Sequence, residues 1–212
     1  MNLSIRPATP DDAAFLGWAC FMAARGHRSR GWFDIVLQRP EGFCIEFCRR
    51  LVLAEARSWW HWSLFHVAEA DGKIASALCG FGDESVYRQS GAAMAQASRE
   101  MGIGEDERAQ FWPRGVFILS CTTGEDDAWT IENVATLPDY RGLGVTQPLL
   151  QHGFDVAREA KFKRAQISFL IGNEPAEHAY RKAGFIFAED ATAPEFETAM
   201  GIPGLRRLVR DI

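Results

Sequence analysis

The order of apolar and polar residues along the chain predicts helices interleaved with strands. From Phe43 to about Ser58, apolar side chains recur at roughly every third or fourth position, which is the spacing of one face of a helix. Two shorter runs, Phe65 to Ala70 and Lys73 to Phe81, are rich in residues that favour strands. The Asp71-Gly72 pair between them is typical of a tight hairpin turn. We therefore expect a helix followed by a β-hairpin.

The same patterns assign the remaining elements. Strands are expected at 4–7, 115–121, 129–136, 165–171, 185–188 and 205–210, and helices at about 10–24, 87–101, 141–160 and 174–183. Strands interleaved with helices indicate an α/β or α+β protein built around a sheet. No repeat, low-complexity stretch or Ser/Gly-rich linker interrupts the series, so residues 1–212 are expected to form a single domain.

Composition excludes several classes of protein. The chain has 212 residues, of which 47% are hydrophobic, and this apolar fraction argues against disorder. Its net charge of −5 argues against a dedicated nucleic-acid binder, which needs a basic surface. No apolar stretch is long enough to span a membrane, and the N-terminus has no apolar signal region. Five cysteines without a CxxC pair predict reduced thiols and a cytoplasmic location.

Metal sites and hydrolase triads find no support. The five histidines form neither an HExxH motif nor another paired spacing, so we expect no metal. A G-x-S-x-G elbow is also absent, which leaves a serine hydrolase unsupported.

The most informative segment is a glycine-containing loop, Arg141 to Thr146, which follows a predicted strand and opens a predicted helix. A loop of this kind presents free backbone N–H groups at the positive end of a helix dipole, which suits a phosphate or pyrophosphate. A P-loop is excluded because the segment lacks Gly-Lys-Ser/Thr, and Gln147 stands where a dinucleotide fingerprint requires its third glycine.

The loop resembles the acyl-CoA-binding motif of the GNAT superfamily of N-acyltransferases, [R/Q]-x-x-G-x-[G/A]. Arg141, Gly144 and Thr146 stand at its three defined positions, and Thr146 departs from the usual Gly or Ala. The segment Ile5 to Asp12 is similar to the superfamily's opening strand and helix. Asn173, followed by Ala179-Tyr180-Arg181-Lys182-Ala183-Gly184-Phe185, is similar to its C-terminal signature.

The resemblance implies an α/β (α+β) fold. It has a mixed, mostly antiparallel central sheet of about six or seven strands flanked by helices. Its two middle strands splay to admit the pantetheine arm of the cofactor. Residues 26–61 and 86–112 do not match the superfamily pattern and are expected to be helical elaborations that shape the acceptor site.

The resemblance also assigns roles to individual residues. The residues expected to bind the cofactor are Val134, Ala135, Thr136, Arg141, Gly142, Leu143, Gly144, Val145, Thr146, Asn173 and Tyr180. Glu132 is the candidate base that accepts the ammonium proton, and Tyr180 is the candidate acid that protonates the departing thiolate. Strand alternation would place Thr130, Glu132 and Val134 on one face. The alternatives are a salt-bridged or solvated Glu132, a Tyr180 that only packs, and an Asn173 that caps the following helix.

These expectations combine into an N-acetyltransferase that moves an acetyl group from acetyl-CoA to a primary amine by direct attack in a ternary complex. The alternatives are an inactive CoA-binding sensor of the same fold and an unrelated α/β binding protein whose glycine loop is structural. A homodimer is compatible with the sequence, which does not identify the acceptor. Six of the seven tryptophans fall in or beside the unmatched segments: Trp18, Trp32, Trp59, Trp60, Trp62 and Trp112.

Overall fold

The computed structural model describes all 212 residues and contains one seven-stranded sheet. The strands are β1 (Leu3–Pro7), β2 (Phe65–Ala70), β3 (Lys73–Phe81), β4 (Trp129–Thr136), β5 (Arg164–Leu170), β6 (Ile186–Thr192) and β7 (Gly204–Asp211). The helices are α1 (Ala13–Arg25), α2 (Trp32–Leu37), α3 (Glu41–Val52), α4 (Ser85–Arg88), α5 (Ser90–Glu100), α6 (Glu105–Ala109), α7 (Phe111–Gly115), α8 (Thr146–Glu159), α9 (Glu174–Lys182) and α10 (Pro194–Met200).

The strands lie in the order β1-β2-β3-β4-β5-β7-β6. Every neighbouring pair is antiparallel except β4 and β5, which are parallel. A parallel pair requires a crossover, and α8 provides it between these two strands. The predicted mixed, mostly antiparallel sheet is therefore confirmed.

The β2–β3 hairpin forms as its turn residues predict. Asp71 has φ 50° and Gly72 has φ 77°. Two consecutive positive φ values are required by the type I′ turn, whose twist matches that of the flanking strands.

Helices cover both faces of the sheet, and side chains of β3 show the alternation. Ala77 and Cys79 pack into a core with α1 and α3, whereas Leu78 packs on the other face with α8. A smaller cluster over β5 joins Phe117, Phe196 and Met200. The core formed with α1 and α3 contains most of the buried side chains of residues 13–111. The segments at 26–61 and 86–112 therefore pack directly on the sheet.

The strand predicted at 115–121 is wrong. Residues Val116–Ser120 form a 3-10 helix that continues from α7. Their apolar residues favour a strand locally, but Phe117 packs edge-on against Phe196 with ring centroids 5.5 Å apart. Tertiary packing overrides the local propensity here.

Other boundaries also differ from the sequence patterns. The helix predicted from Phe43 to Ser58 is α3, which ends at Val52, and the helix predicted at 87–101 is divided at Gln89 into α4 and α5. The helix predicted at 141–160 begins only at Thr146, as α8. The short helices α2, α6, α7 and α10 have no individual counterpart among the predicted elements, although α2 and α6 lie in the segments expected to be helical. None of the helices is both long enough and apolar enough to cross a membrane.

Candidate active site

An opening lies between the two middle strands of the sheet. β4 and β5 pair at Trp129–Ala165, Thr130–Gln166 and Ile131–Ile167, and their pairing stops there. Beyond this point each strand keeps its other neighbour, since Thr136 still pairs with Ser76 of β3. The backbone of Val134 to Thr136 is therefore left unpaired on its β5 side, where an extended chain of amides can pair as an added strand.

A β-bulge in β4 follows Glu132. Cys79 pairs with Glu132 and Ala77 pairs with Ala135, so Asn133 and Val134 together face the single residue Leu78. Asn133 has φ 51°, a left-handed conformation that breaks the regular alternation of side chains.

The bulge corrects the predicted side-chain pattern of this strand. Thr130 and Glu132 share a face with Phe81 and Cys79, as expected. Val134, however, packs with the α8 core on the opposite face. The predicted alignment of Glu132 and Val134 is therefore wrong, because the extra residue reverses the alternation.

The Glu132 carboxyl is poorly solvated although the residue keeps some exposed surface. Desolvation raises the pKa of Glu132 to about 8, while the Tyr87 phenol and the backbone amide of Asn133 partly oppose that shift. Glu132 belongs to no salt bridge, so the alternative of a salt-bridged carboxylate is wrong. In its ionised form this carboxylate is a stronger base than an ordinary one, and that form predominates above about pH 8.

Sequence reasoning did not single out Tyr87, which lies beside Glu132. Its ring packs against Phe81 and Trp59, with centroid distances of 5.3 Å and 5.6 Å. The carbonyl of Trp59 accepts a hydrogen bond of 3.2 Å from Cys79, the residue directly opposite Glu132. These residues are far apart in the sequence and meet only in the folded chain. The one indication of this aromatic cluster in the sequence is the group of tryptophans at 59–62.

Tyr180 reaches the same region from α9. Its ring packs between Phe169 and Phe185, and the residue is 7% exposed. The hydroxyl makes no hydrogen bond in the chain, yet it is not among the occluded polar atoms, so it is the part that solvent reaches. Burial and the nearby charge of Glu132 both raise the pKa of Tyr180, which keeps the phenol protonated.

The glycine loop precedes α8 and is exposed. Gly142 has φ 76° and Gly144 has φ 83°, and a Cβ on either residue would meet nothing within 4 Å. The backbone N–H groups of Gly142, Gly144, Val145 and Thr146 donate no hydrogen bond within the chain. Free amides at the start of a helix of 14 residues form a suitable site for a pyrophosphate.

Two further contacts involve α9, the helix that bears Tyr180. The Asn173 side chain accepts a hydrogen bond of 3.4 Å from the Ala176 amide, so it caps α9 as the alternative predicted. Gln147, in the first turn of α8, donates 2.7 Å to the carbonyl of Ala179. This contact ties the end of the glycine loop to the helix that bears Tyr180.

The remaining reactive side chains form no second centre. No group of three or more His, Cys, Asp or Glu side chains is arranged to hold a metal ion. Cys79 lies next to Glu132, but burial raises the pKa of its thiol well above the ordinary value. The neutral thiol is a poor nucleophile.

Comparisons with known proteins identify the family of the chain. A family model described as the Acetyltransferase (GNAT) family matches residues 33–185. The chain is 40% identical over 58 residues to streptothricin acetyltransferase of Streptomyces lavendulae, a match over 27% of this chain and 31% of that protein.

Solved structures extend the likeness to the whole fold. An N-acetyltransferase from Staphylococcus aureus Mu50 has a TM-score of 0.69 at 19% identity, covering 98% of this chain and 100% of that one. The structure of yncA from Salmonella typhimurium with its cofactor acetyl-CoA has a TM-score of 0.57 at 14% identity, covering 99% and 93%.

Proposed function

Because the chain belongs to the Acetyltransferase (GNAT) family, we propose that it transfers an acetyl group from acetyl-CoA to a primary amine in a ternary complex. One observation carries the proposal: where β4 and β5 stop pairing, the poorly solvated carboxyl of Glu132 on β4 is close enough to the Tyr180 phenol for its charge to raise the pKa of Tyr180. The chain as a whole, residues 1–212, is proposed to act as one domain.

The proposed donor site has two parts. The backbone from Val134 to Thr136 pairs with the amides of the pantetheine arm, and Asn173 lies at the start of the helix across the opening. The free amides of the loop from Arg141 to Thr146 hold the pyrophosphate. Neither part requires a metal ion.

The proposed reaction is a direct transfer. The neutral amine attacks the thioester carbonyl carbon, and Glu132 accepts the proton that the nitrogen loses. When the tetrahedral intermediate collapses, the carbon–sulfur bond breaks and Tyr180 donates a proton to the thiolate. No acyl-enzyme forms, since the one cysteine beside the site, Cys79, is held as a buried thiol.

The proposed acceptor enters from the face that carries Tyr87 and Trp59. Trp59 belongs to residues 26–61 and Tyr87 to residues 86–112, and their ring centroids lie 5.6 Å apart. The Trp59 ring also packs on Trp60, with centroids 4.7 Å apart and the two rings tilted by 34°. The local match to streptothricin acetyltransferase makes streptothricin one amine worth testing, although that match spans only 31% of the relative.

Two measurements test the proposal. Acetyl-CoA should raise the melting temperature, and acetyl-CoA with an amine panel should release free thiol. The panel contains streptothricin, diamines, amino acids and peptides with free N-termini. Stabilisation by CoA without thiol release on any amine would indicate a CoA-binding sensor. No stabilisation by CoA at all would contradict the donor site itself.

A further inference from the structure

Three hydroxyl groups connect the two parts of the proposed donor site. Ser76 Oγ lies 3.0 Å from the Ala135 carbonyl oxygen and 2.8 Å from Thr136 Oγ1. Thr136 Oγ1 in turn lies 3.2 Å from Thr146 Oγ1. The row therefore runs from β3, across the end of β4, to the first residue of α8.

The direction of these hydrogen bonds follows from counting protons. A carbonyl cannot donate, so the single hydroxyl proton of Ser76 goes to Ala135. Thr136 must then donate to Ser76, and Thr146 must donate to Thr136. The hydroxyl proton of Thr146 is consequently committed to the protein.

This assignment separates two roles for Thr146. With its proton committed, the hydroxyl offers only lone pairs to a neighbouring group, and lone pairs do not bind an anionic phosphate oxygen. The pyrophosphate contact at this residue therefore belongs to the backbone N–H, which is free. The side chain's contribution is to hold that N–H in place.

A second contact holds the other end of the loop to the same strand. Arg141 Nε donates 3.1 Å to the carbonyl of Thr136. Thr136 thus accepts one hydrogen bond from Arg141 at its backbone carbonyl and one from Thr146 at its hydroxyl. The exposed glycines between Arg141 and Thr146 have open space around them, so packing does not hold them in place.

We infer that Thr146 is a positioning residue that, through Thr136 and Ser76, fastens the N-terminus of α8 to the end of β4 and so pre-organises the loop amides for the acyl-CoA pyrophosphate. The inference rests on the proposed function. In this chain the hydroxyl turns inward to Thr136, so the β-branched residue at a motif position usually held by Gly or Ala serves to stiffen the loop.

Three variants test the inference by CoA titration and acetyl-transfer kinetics. Thr146→Val keeps the shape and removes the donor, and it should raise the Kd of CoA and the KM of acetyl-CoA roughly threefold to tenfold with little change in kcat. Thr146→Ser keeps the hydroxyl and should recover most of the affinity. Thr198→Val removes an exposed hydroxyl on α10 and serves as the control.

A shortened donor separates positioning from general damage. S-Acetylpantetheine has no pyrophosphate, so its KM should be the same for the wild type and Thr146→Val. The double variant Thr136→Val/Thr146→Val should lose no more CoA affinity than the larger single loss, because both changes break one connected row. An equal penalty with both donors, or unchanged CoA affinity in Thr146→Val, would overturn the inference.

Backbone NMR order parameters keep the inference independent of the proposed function, because they report the mobility of amides that carry no hydrogen bond. Without ligand, the order parameters of residues 142–146 should be lower in Thr146→Val than in the wild type or Thr198→Val. Lower values in a protein that binds no CoA would refute the proposed function and leave the fastening intact. Unchanged values would refute the fastening whatever CoA does.

Discussion

Glu132 lies directly opposite Cys79 in the β3–β4 register, and the strand bulges at the next residue, Asn133. The bulge leaves Glu132 facing the aromatic side of the sheet while Val134 faces the α8 side. Under the proposed mechanism, Glu132 therefore acts on the side of the sheet that carries Tyr87 and Trp59, whereas Tyr180 packs in the α8 core on the other side. An amine and a thioester can approach each other through the sheet without sharing an entrance.

Replacing Glu132 with Gln should produce a loss of activity that depends on pH. With its pKa raised to about 8, Glu132 is in the proton-accepting form above that pH and mostly protonated well below it. We expect kcat/KM to fall about 100-fold in Glu132→Gln at pH 9, and the ratio to wild type to approach one near pH 6. Ionisation of the amine cancels in this ratio.

The control is Glu159→Gln, which removes an exposed carboxylate at the end of α8 and should match wild type at every pH. A Glu132→Gln deficit that is equal at pH 6 and pH 9 would exclude Glu132 as the base and leave it a structural or binding role.

Removing the Tyr87 hydroxyl should move the pH profile rather than abolish activity. The phenol favours the ionised form of Glu132 and opposes the effect of desolvation, so its loss raises the pKa of Glu132 further. In Tyr87→Phe the midpoint of the kcat/KM profile should shift to higher pH, while the melting temperature changes little because the ring still packs on Phe81 and Trp59. A shift to lower pH would contradict this relationship.

Tyr180→Phe should lower kcat about tenfold to 100-fold and leave CoA affinity near wild type, because the hydroxyl has no partner in the chain and the ring packing is retained. A donor whose thiol is more acidic needs less help to depart. The deficit should therefore shrink with S-acetyl thionitrobenzoate in place of acetyl-CoA. A deficit that is the same for both donors would remove Tyr180 as the acid.

Sequence patterns indicate residues for the proposed donor half of this site more readily than for the proposed acceptor half, for a physical reason. The glycine loop, Asn173 and Tyr180 lie in local motifs whose function depends on backbone conformation and spacing within a few residues. Tyr87 meets Glu132 only because two helices and a β-hairpin pack on one face, which no local pattern encodes. The bulge at Asn133 is equally hard to predict from the sequence, because the left-handed conformation of this residue follows from how β4 pairs with β3.

Gly144→Ala should weaken donor binding more than it weakens the fold. Gly144 has φ 83° with open space around it, so an added methyl group strains the backbone and crowds only what binds the loop. Gly102 has φ 68° and equally open surroundings far from the loop in sequence, which makes Gly102→Ala the matched control for strain. Both variants should lose about 1 kcal/mol of stability, and only Gly144→Ala should raise the KM of acetyl-CoA. An equal rise in KM for both would show that strain alone is responsible.

His66 should make the fold less stable in mild acid. His66 Nδ1 lies 2.8 Å from Nε2 of His152 on α8. Burial, together with that neighbour, lowers the pKa of His66 from 6.5 to about 4. Above pH 6.5 both the folded and unfolded forms are neutral at this residue, so it contributes nothing to pH dependence. As pH falls below 6.5, the unfolded chain takes up the proton first, and the free energy of unfolding decreases until about pH 4, by about 2 kcal/mol.

Chemical denaturation at pH 7.5 and pH 4.5 should show this loss in the wild type and a smaller one in His66→Gln. The control, His178→Gln, lies on the exposed side of α9 and should behave as wild type. Equal losses in all three proteins would place the acid sensitivity elsewhere in the chain.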